Sequence, residues 1–137
     1  MTTRTGGCAC GAVRYEFTAE PVFQVVCHCR TCQYTAGGGP TLGMIIPKAG
    51  FKLTKGEPRI YWTQGDSGGR IGRAFYEVCG TPLYSAPEAN DDNIVVIKPG
   101  SLDDPSVFAP QANLYTKDAQ PWHRMTEGLM NFETMPG

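Results

Sequence analysis

Two cysteine pairs, each with a single residue between its members, constrain this chain more than any other feature: Cys8-Ala9-Cys10 and Cys27-His28-Cys29. In an extended chain, side chains at i and i+2 leave from one face, about 6.6 Å apart at Cα. Two such thiols can converge on one ion, because a tetrahedral zinc with bonds of ~2.3 Å sets its sulfurs roughly 3.8 Å apart. A disulfide across the same gap would lie at the outer limit of allowed geometry and would be strained. Cys32 follows Cys29 at the two-residue gap of a zinc knuckle, so Cys27, Cys29 and Cys32 form a compact three-thiol cluster. Three ligands leave one coordination position open, the pattern of reactive rather than closed structural zinc. The competing readings of this cluster are a redox dithiol at Cys29 and Cys32, or inert buried thiols.

The stretch from Met1 to Gly7 is polar and lacks the apolar segment of a secretion signal, and no stretch approaches the ~20 apolar residues of a membrane span. These features predict a cytoplasmic, reducing location with no membrane partner. Disulfides are rare there, so the six cysteines read as metal ligands or reactive thiols. The basic residues are scattered from Arg4 to Arg124, with no run to follow a phosphate backbone, and the net charge is −1. Nucleic acid is therefore not an expected partner. The other three cysteines, Cys8, Cys10 and Cys79, can share a site only if the first and middle thirds of the chain meet. Taken alone, they leave open the reading as small apolar thiols in a core.

The chain has 137 residues with 41% apolar content, enough for one core, and the expected organisation is a single domain over residues 1–137. Runs rich in β-branched and aromatic residues predict strands at 12–18, 22–26, 41–46, 51–54, 60–63, 71–76, 94–98 and 113–116. Turn clusters punctuate them at 37–40, 65–69 and 86–92. No segment holds a 3.6-residue apolar period for three turns. The fold class is thus mostly β, with a helical turn after Cys32 or near Pro105.

Motifs recur in order along most of the chain: Gly6-Gly7-Cys8-Ala9-Cys10-Gly11-Ala12-Val13-Arg14-Tyr15, Cys27-His28-Cys29-Arg30-Thr31-Cys32, Gly56-Glu57-Pro58, Cys79-Gly80-Thr81-Pro82-Leu83, Gly100-Ser101-Leu102-Asp103-Asp104-Pro105, and Trp122. With these the sequence resembles the glutathione-dependent formaldehyde-activating enzyme family, which also includes centromere protein V. The resemblance implies an Mss4-like single-domain β fold with zinc knuckles and two zinc sites. By that pattern Cys27, Cys29 and Cys32 match the reactive set, and Cys8, Cys10 and Cys79 match the structural set. One departure stands out: Tyr76 replaces the first cysteine of the later pair, so the structural site is one thiolate short. A phenol with a pKa near ~10 is a poor zinc ligand, and Tyr76 is expected to pack in the core. The fourth position would fall to water, to a carboxylate such as Glu77, or to nothing.

The activity implied is that of a zinc-dependent carbon-sulfur lyase or synthase, joining a small thiol to a small aldehyde, with glutathione and formaldehyde as the family's substrates. The competing class is a non-catalytic zinc module that binds a thiol or a protein partner. The oligomeric state is not legible. Among the remaining polar residues, His28 should face away from its flanking ligands and serve packing or ligand support, and His123 a surface or packing role. Arg14 and Arg30 are candidates for holding a substrate carboxylate, although single arginines are usually solvated. Asp103-Asp104-Pro105 reads as a turn or helix start, and Trp122 is expected to close the core.

Overall fold

A computed structural model of the chain describes residues 2–89 and 93–136. Met1 of the polar N-terminal stretch, Asn90, Asp91 and Asp92 of the third turn cluster, and Gly137 lie outside the described residues. The elements are β1 (Arg4–Gly7), β2 (Arg14–Phe17), β3 (Phe23–Cys27), α1 (Arg30–Thr35), β4 (Thr41–Pro47), β5 (Phe51–Lys55), β6 (Arg59–Gln64), β7 (Arg70–Phe75), β8 (Pro82–Pro87), β9 (Ile94–Ile97), β10 (Ala112–Leu114) and β11 (Met130–Asn131). Among the described residues they form a three-stranded sheet, β1-β2-β5, and an eight-stranded sheet in the order β11-β10-β3-β4-β9-β8-β7-β6. This is the mostly β architecture that the sequence predicts, and its cysteine clusters suit zinc knuckles.

Period-two alternation explains how the two sheets meet. Tyr15 and Phe17 of β2 point inward and are fully buried, as are Met44 and Ile46 of β4, Leu83 of β8 and Ile97 of β9. These residues, with Val13, Ala74 and Val95, make one apolar cluster shared by both sheets. Truncating one of its large side chains costs about 3–5 kcal/mol for Phe and 2–5 kcal/mol for Leu, Ile or Met. The Tyr15 hydroxyl is satisfied inside this core by Ser101 Oγ at 2.6 Å, and burial pushes its pKa up to about 12 against that hydrogen bond. Gly6 makes the approach possible, since a Cβ there would lie 2.5 Å from the Ser101 carbonyl oxygen and 2.6 Å from the Tyr15 hydroxyl.

Three strands escape the sequence pattern. β1 reads Arg-Thr-Gly-Gly, with little β propensity, and forms because β2 pairs along it. β8 begins and ends with proline, which sits at strand ends where no ladder donor is required, and it is held between β7 and β9. It takes Ala86 and Pro87 out of the third turn cluster and into a strand. β11 has two residues and pairs in parallel with β10, which itself runs parallel to β3. The helix also starts earlier than expected, at Arg30, and the expected turn near Pro105 is a short 3-10 segment, Pro105–Val107, capped by the Asp104 carboxylate accepting from the Ser106 N–H at 3.1 Å. Trp122 does not close the core: it is 66% exposed, with its indole N–H donating to the Gly38 carbonyl at 2.9 Å.

Candidate metal centres

The first cluster is built where β3 ends and α1 begins. Cys27 is the last residue of β3 and is held on both sides, opposite Thr41 of β4 and Leu114 of β10. The His28 N–H donates to the Leu114 carbonyl at 2.9 Å, which carries the chain past the strand end in a fixed direction. Cys29 then acts as the helix N-cap: its backbone is extended, and its sulfur accepts from the Cys32 N–H at 3.3 Å. A sulfur stands here where serine or aspartate usually caps. The first turn of α1 brings Cys32 back, and the sulfurs of Cys27, Cys29 and Cys32 lie within 4.8 Å of one another. Cys32 is buried, and the other two are half-buried.

This crowding shifts the thiols in opposite directions. Hydrogen bonds from Cys27 and Cys29, reinforced by Thr41 and by the charge of Lys98, hold the Cys32 thiol far below its ordinary range. The Cys27 thiol moves the other way, because its hydrogen bonds to Cys29 and Cys32 and its burial all favour the proton. The crowded sulfurs thus pull each other's protons in opposite directions, and a bound cation would favour the thiolate at all of them.

The second cluster joins two distant segments. Cys8 and Cys10, in the loop after β1, place their sulfurs 3.6 Å apart, and Cys8 Sγ accepts from the Val13 N–H at 3.2 Å. Cys79 sits in the turn between β7 and β8. That turn is closed by the Gly80 N–H donating to the Tyr76 carbonyl at 2.7 Å, with Gly80 at φ +76°. Thr81 ties the segments together: its hydroxyl accepts from the Ala9 N–H at 3.0 Å and lies 3.2 Å from Cys79 Sγ. The sulfurs of Cys8, Cys10 and Cys79 all fall within 4.8 Å. Only Cys8 is buried, so a core role fails for the exposed Cys10 and Cys79. Hydrogen bonds from the Thr81 hydroxyl, the Thr81 backbone and the Cys10 backbone bring the Cys79 thiol down to about 6. Tyr76 packs against the core, and the Glu77 carboxylate pairs with Arg59 at 3.2 Å rather than joining the sulfurs.

All six cysteines are free, and the two triads could each hold a metal ion. An all-sulfur donor set at this spacing is consistent with zinc.

His28 faces away from the cluster, as expected, and is fully buried. Its Nε2 lies 3.0 Å from Asn113 Oδ1 and its Nδ1 2.9 Å from His123 Nδ1; His123 Nε2 in turn lies 2.9 Å from the Gly38 carbonyl. Gln33 fastens the same region by donating to the carbonyls of His28 and Asp118, each at 2.8 Å. Asn113, Gln33 and Thr41 carry no spacing signal, since each reaches the cluster only through tertiary structure. Arg14 is committed to Asp103, and Arg30 to Gln33 and the face of Tyr34. Beside the first cluster, a cavity of about 590 Å³ runs from Thr41 and Lys98 to Thr81 next to the second.

The comparisons with known proteins agree with this arrangement. A crystal structure of a Rhodobacter sphaeroides protein, from a structural-genomics programme, shares the fold at a TM-score of 0.57 and 17% identity, covering 72% of this chain and 87% of that one. The family model described as glutathione-dependent formaldehyde-activating enzyme matches residues 3–118, a span that includes all six cysteines. The chain belongs to the glutathione-dependent formaldehyde-activating enzyme family.

Proposed function

We propose that the chain is a zinc-dependent carbon-sulfur lyase or synthase. It would form and cleave adducts between a small glutathione-like thiol and a small formaldehyde-like aldehyde, working as one domain over residues 1–137 in the reducing cytoplasm. Family membership supports a glutathione- and formaldehyde-related activity. The observation that carries the reading is the Cys27, Cys29 and Cys32 cluster, which gathers three sulfurs, no fourth His, Cys, Asp or Glu among the described residues, and an adjoining cavity. Cys8, Cys10 and Cys79 would hold a second, structural zinc, with Tyr76 standing where a fourth thiolate would complete it.

Zinc held by three thiolates would be a weak Lewis acid, and its contribution when bound would be to keep a substrate thiol ionised in the remaining position. A thiol of pKa ~8.5 is only ~3% ionised at pH 7, so full ionisation gains at most ~30-fold, about 2 kcal/mol. The larger share falls to the chain's own residues, which position the reactants. Cys29 is fixed by its capping bond and Cys27 by two flanking strands, so the open side of the cluster faces one direction. The thiol sulfur bonds to the aldehyde carbon and the aldehyde oxygen takes up the proton that the thiol releases; the reverse direction breaks the same carbon-sulfur bond. His28 serves as a positioning residue, because both ring nitrogens are engaged.

Exchange between formaldehyde, glutathione and their adduct, followed by NMR, tests the reading. Replacing Cys27, Cys29 and Cys32 together by serine should return exchange to the uncatalysed rate. Equal exchange in wild type and triple variant would refute catalysis, and thiol binding without accelerated exchange would favour a binding module.

A further inference from the structure

Two cations line the cavity beside the first cluster. Arg73 of β7 and Lys98, just after β9, both line it, and no Asp or Glu among the described residues does. The contrast with neighbouring arginines is sharp. Arg59 pairs with Glu77 at 3.2 Å and Arg70 with Glu88 at 3.6 Å, whereas Arg73 has no carboxylate partner among the described residues. Its guanidinium is nevertheless fixed, since Nε donates to Thr63 Oγ1 at 3.1 Å. Lys98 faces the same cavity from the end of β9. Two cationic side chains on one cavity wall favour an anionic guest.

Size points the same way. A cavity of about 590 Å³ falls within the ~300–1,000 Å³ range of pockets that enclose a whole organic ligand, far more than a formaldehyde molecule or a two-carbon thiol fills. Thr41 links the cavity to the cluster, lining the one and standing opposite Cys27 of the other across the β3–β4 pair.

We propose that Arg73, backed by Lys98, binds a carboxylate of the thiol partner, so that the chain selects anionic, peptide-like thiols over neutral ones of equal reactivity. This inference rests on the thiol-adduct reading above. Arg73 is suited to the task because a guanidinium can donate two parallel hydrogen bonds to one carboxylate and keeps its charge at every physiological pH.

The test uses S-methylglutathione and its diethyl ester, which carry no free thiol and report the carboxylate site alone. Calorimetric titration of the metal-loaded chain should show the acid binding more tightly than the ester. Arg73→Gln should weaken the acid by roughly 10- to 100-fold, the scale of a lost charge-assisted hydrogen bond, while leaving the ester and the metal content unchanged. Arg73→Lys should weaken it less. Equal affinity for acid and ester, or an unchanged affinity in Arg73→Gln, overturns the proposal. If Arg73→Gln does not fold, the acid-ester comparison on the unmodified chain decides the matter. Failure of the two readings is distinguishable: probe binding through Arg73 without adduct exchange refutes catalysis alone, and exchange with the same KM for glutathione in Arg73→Gln refutes the carboxylate site alone.

Discussion

Trp122 and His123 are adjacent, and ring-for-ring replacement by phenylalanine should separate them. His123→Phe keeps an aromatic ring in place but removes the partner of His28 Nδ1, which lies 2.9 Å away on a fully buried ring. A buried polar atom left unpaired costs about 1–3 kcal/mol, and water has little access to His28. Trp122→Phe removes only an indole N–H to the Gly38 carbonyl, on a side chain that is 66% exposed, and water can replace it at a cost below about 1 kcal/mol. At about 4 °C per kcal/mol for a chain of this size, His123→Phe should lower the melting temperature by about 4–12 °C and Trp122→Phe by less than about 4 °C. His123→Asn, which returns an N–H near the position of Nδ1, should recover part of the loss. Circular dichroism melts of the metal-loaded protein measure all three. A melting point of His123→Phe within a degree of wild type, or below that of neither Trp122→Phe nor wild type, would refute the reasoning.

Two further perturbations probe residues outside the first cluster. Asp103, paired with Arg14 and hydrogen-bonded to Thr5, has its carboxyl lowered from 3.8 to about 2. Its stabilising contribution is therefore complete above about pH 4 and lost as the pH falls through about 2. Both side chains are substantially exposed, so solvent screening holds the contribution below about 1 kcal/mol. Acid titration of melting temperature for wild type and Asp103→Asn should converge at pH 2, and parallel curves throughout would refute the assignment. Tyr76→Cys supplies the thiolate that the second cluster lacks while deleting a ring packed on the core. The metal-free variant should be less stable than wild type by about 2–4 kcal/mol, and the loaded variant should hold zinc more tightly against a chelator; unchanged retention would show that position 76 is not the missing ligand place.

What the sequence disclosed follows the range of each interaction. The 27–32 cluster is written in local spacing, and the structure adds only the reason it closes: a cysteine takes the helix-capping role. The Cys8, Cys10 and Cys79 cluster was visible through family resemblance alone, because nothing local announces that a turn at Gly80 meets the loop after β1. β1, β8 and β11 were missed because pairing partners rather than their own residues make them strands. Trp122 departs from its expected place for a similar reason. A tryptophan reads as core, yet the buried ring nitrogen that needed a partner is on His28, far away in sequence, and His123 rather than Trp122 meets it. Arg73 and Lys98 looked like scattered basic residues, and only the sheet brings them to one wall.

The two sulfur clusters differ in how much chain must exist before each can close. Cys27, Cys29 and Cys32 are joined by a strand end and one helical turn, so all three sulfurs leave the ribosome together, although β10, which flanks Cys27 on one side, is made later. Cys79 follows Cys32 by roughly fifty residues, which at ~5–20 residues per second delays the second cluster by about 2–10 s. It must also close a far longer loop back to Cys8 and Cys10, at a higher entropic cost. Synthesis itself thus imposes an order, in which the three sulfurs beside the cavity are all present before the turn that brings Cys79 to the loop after β1 has been made.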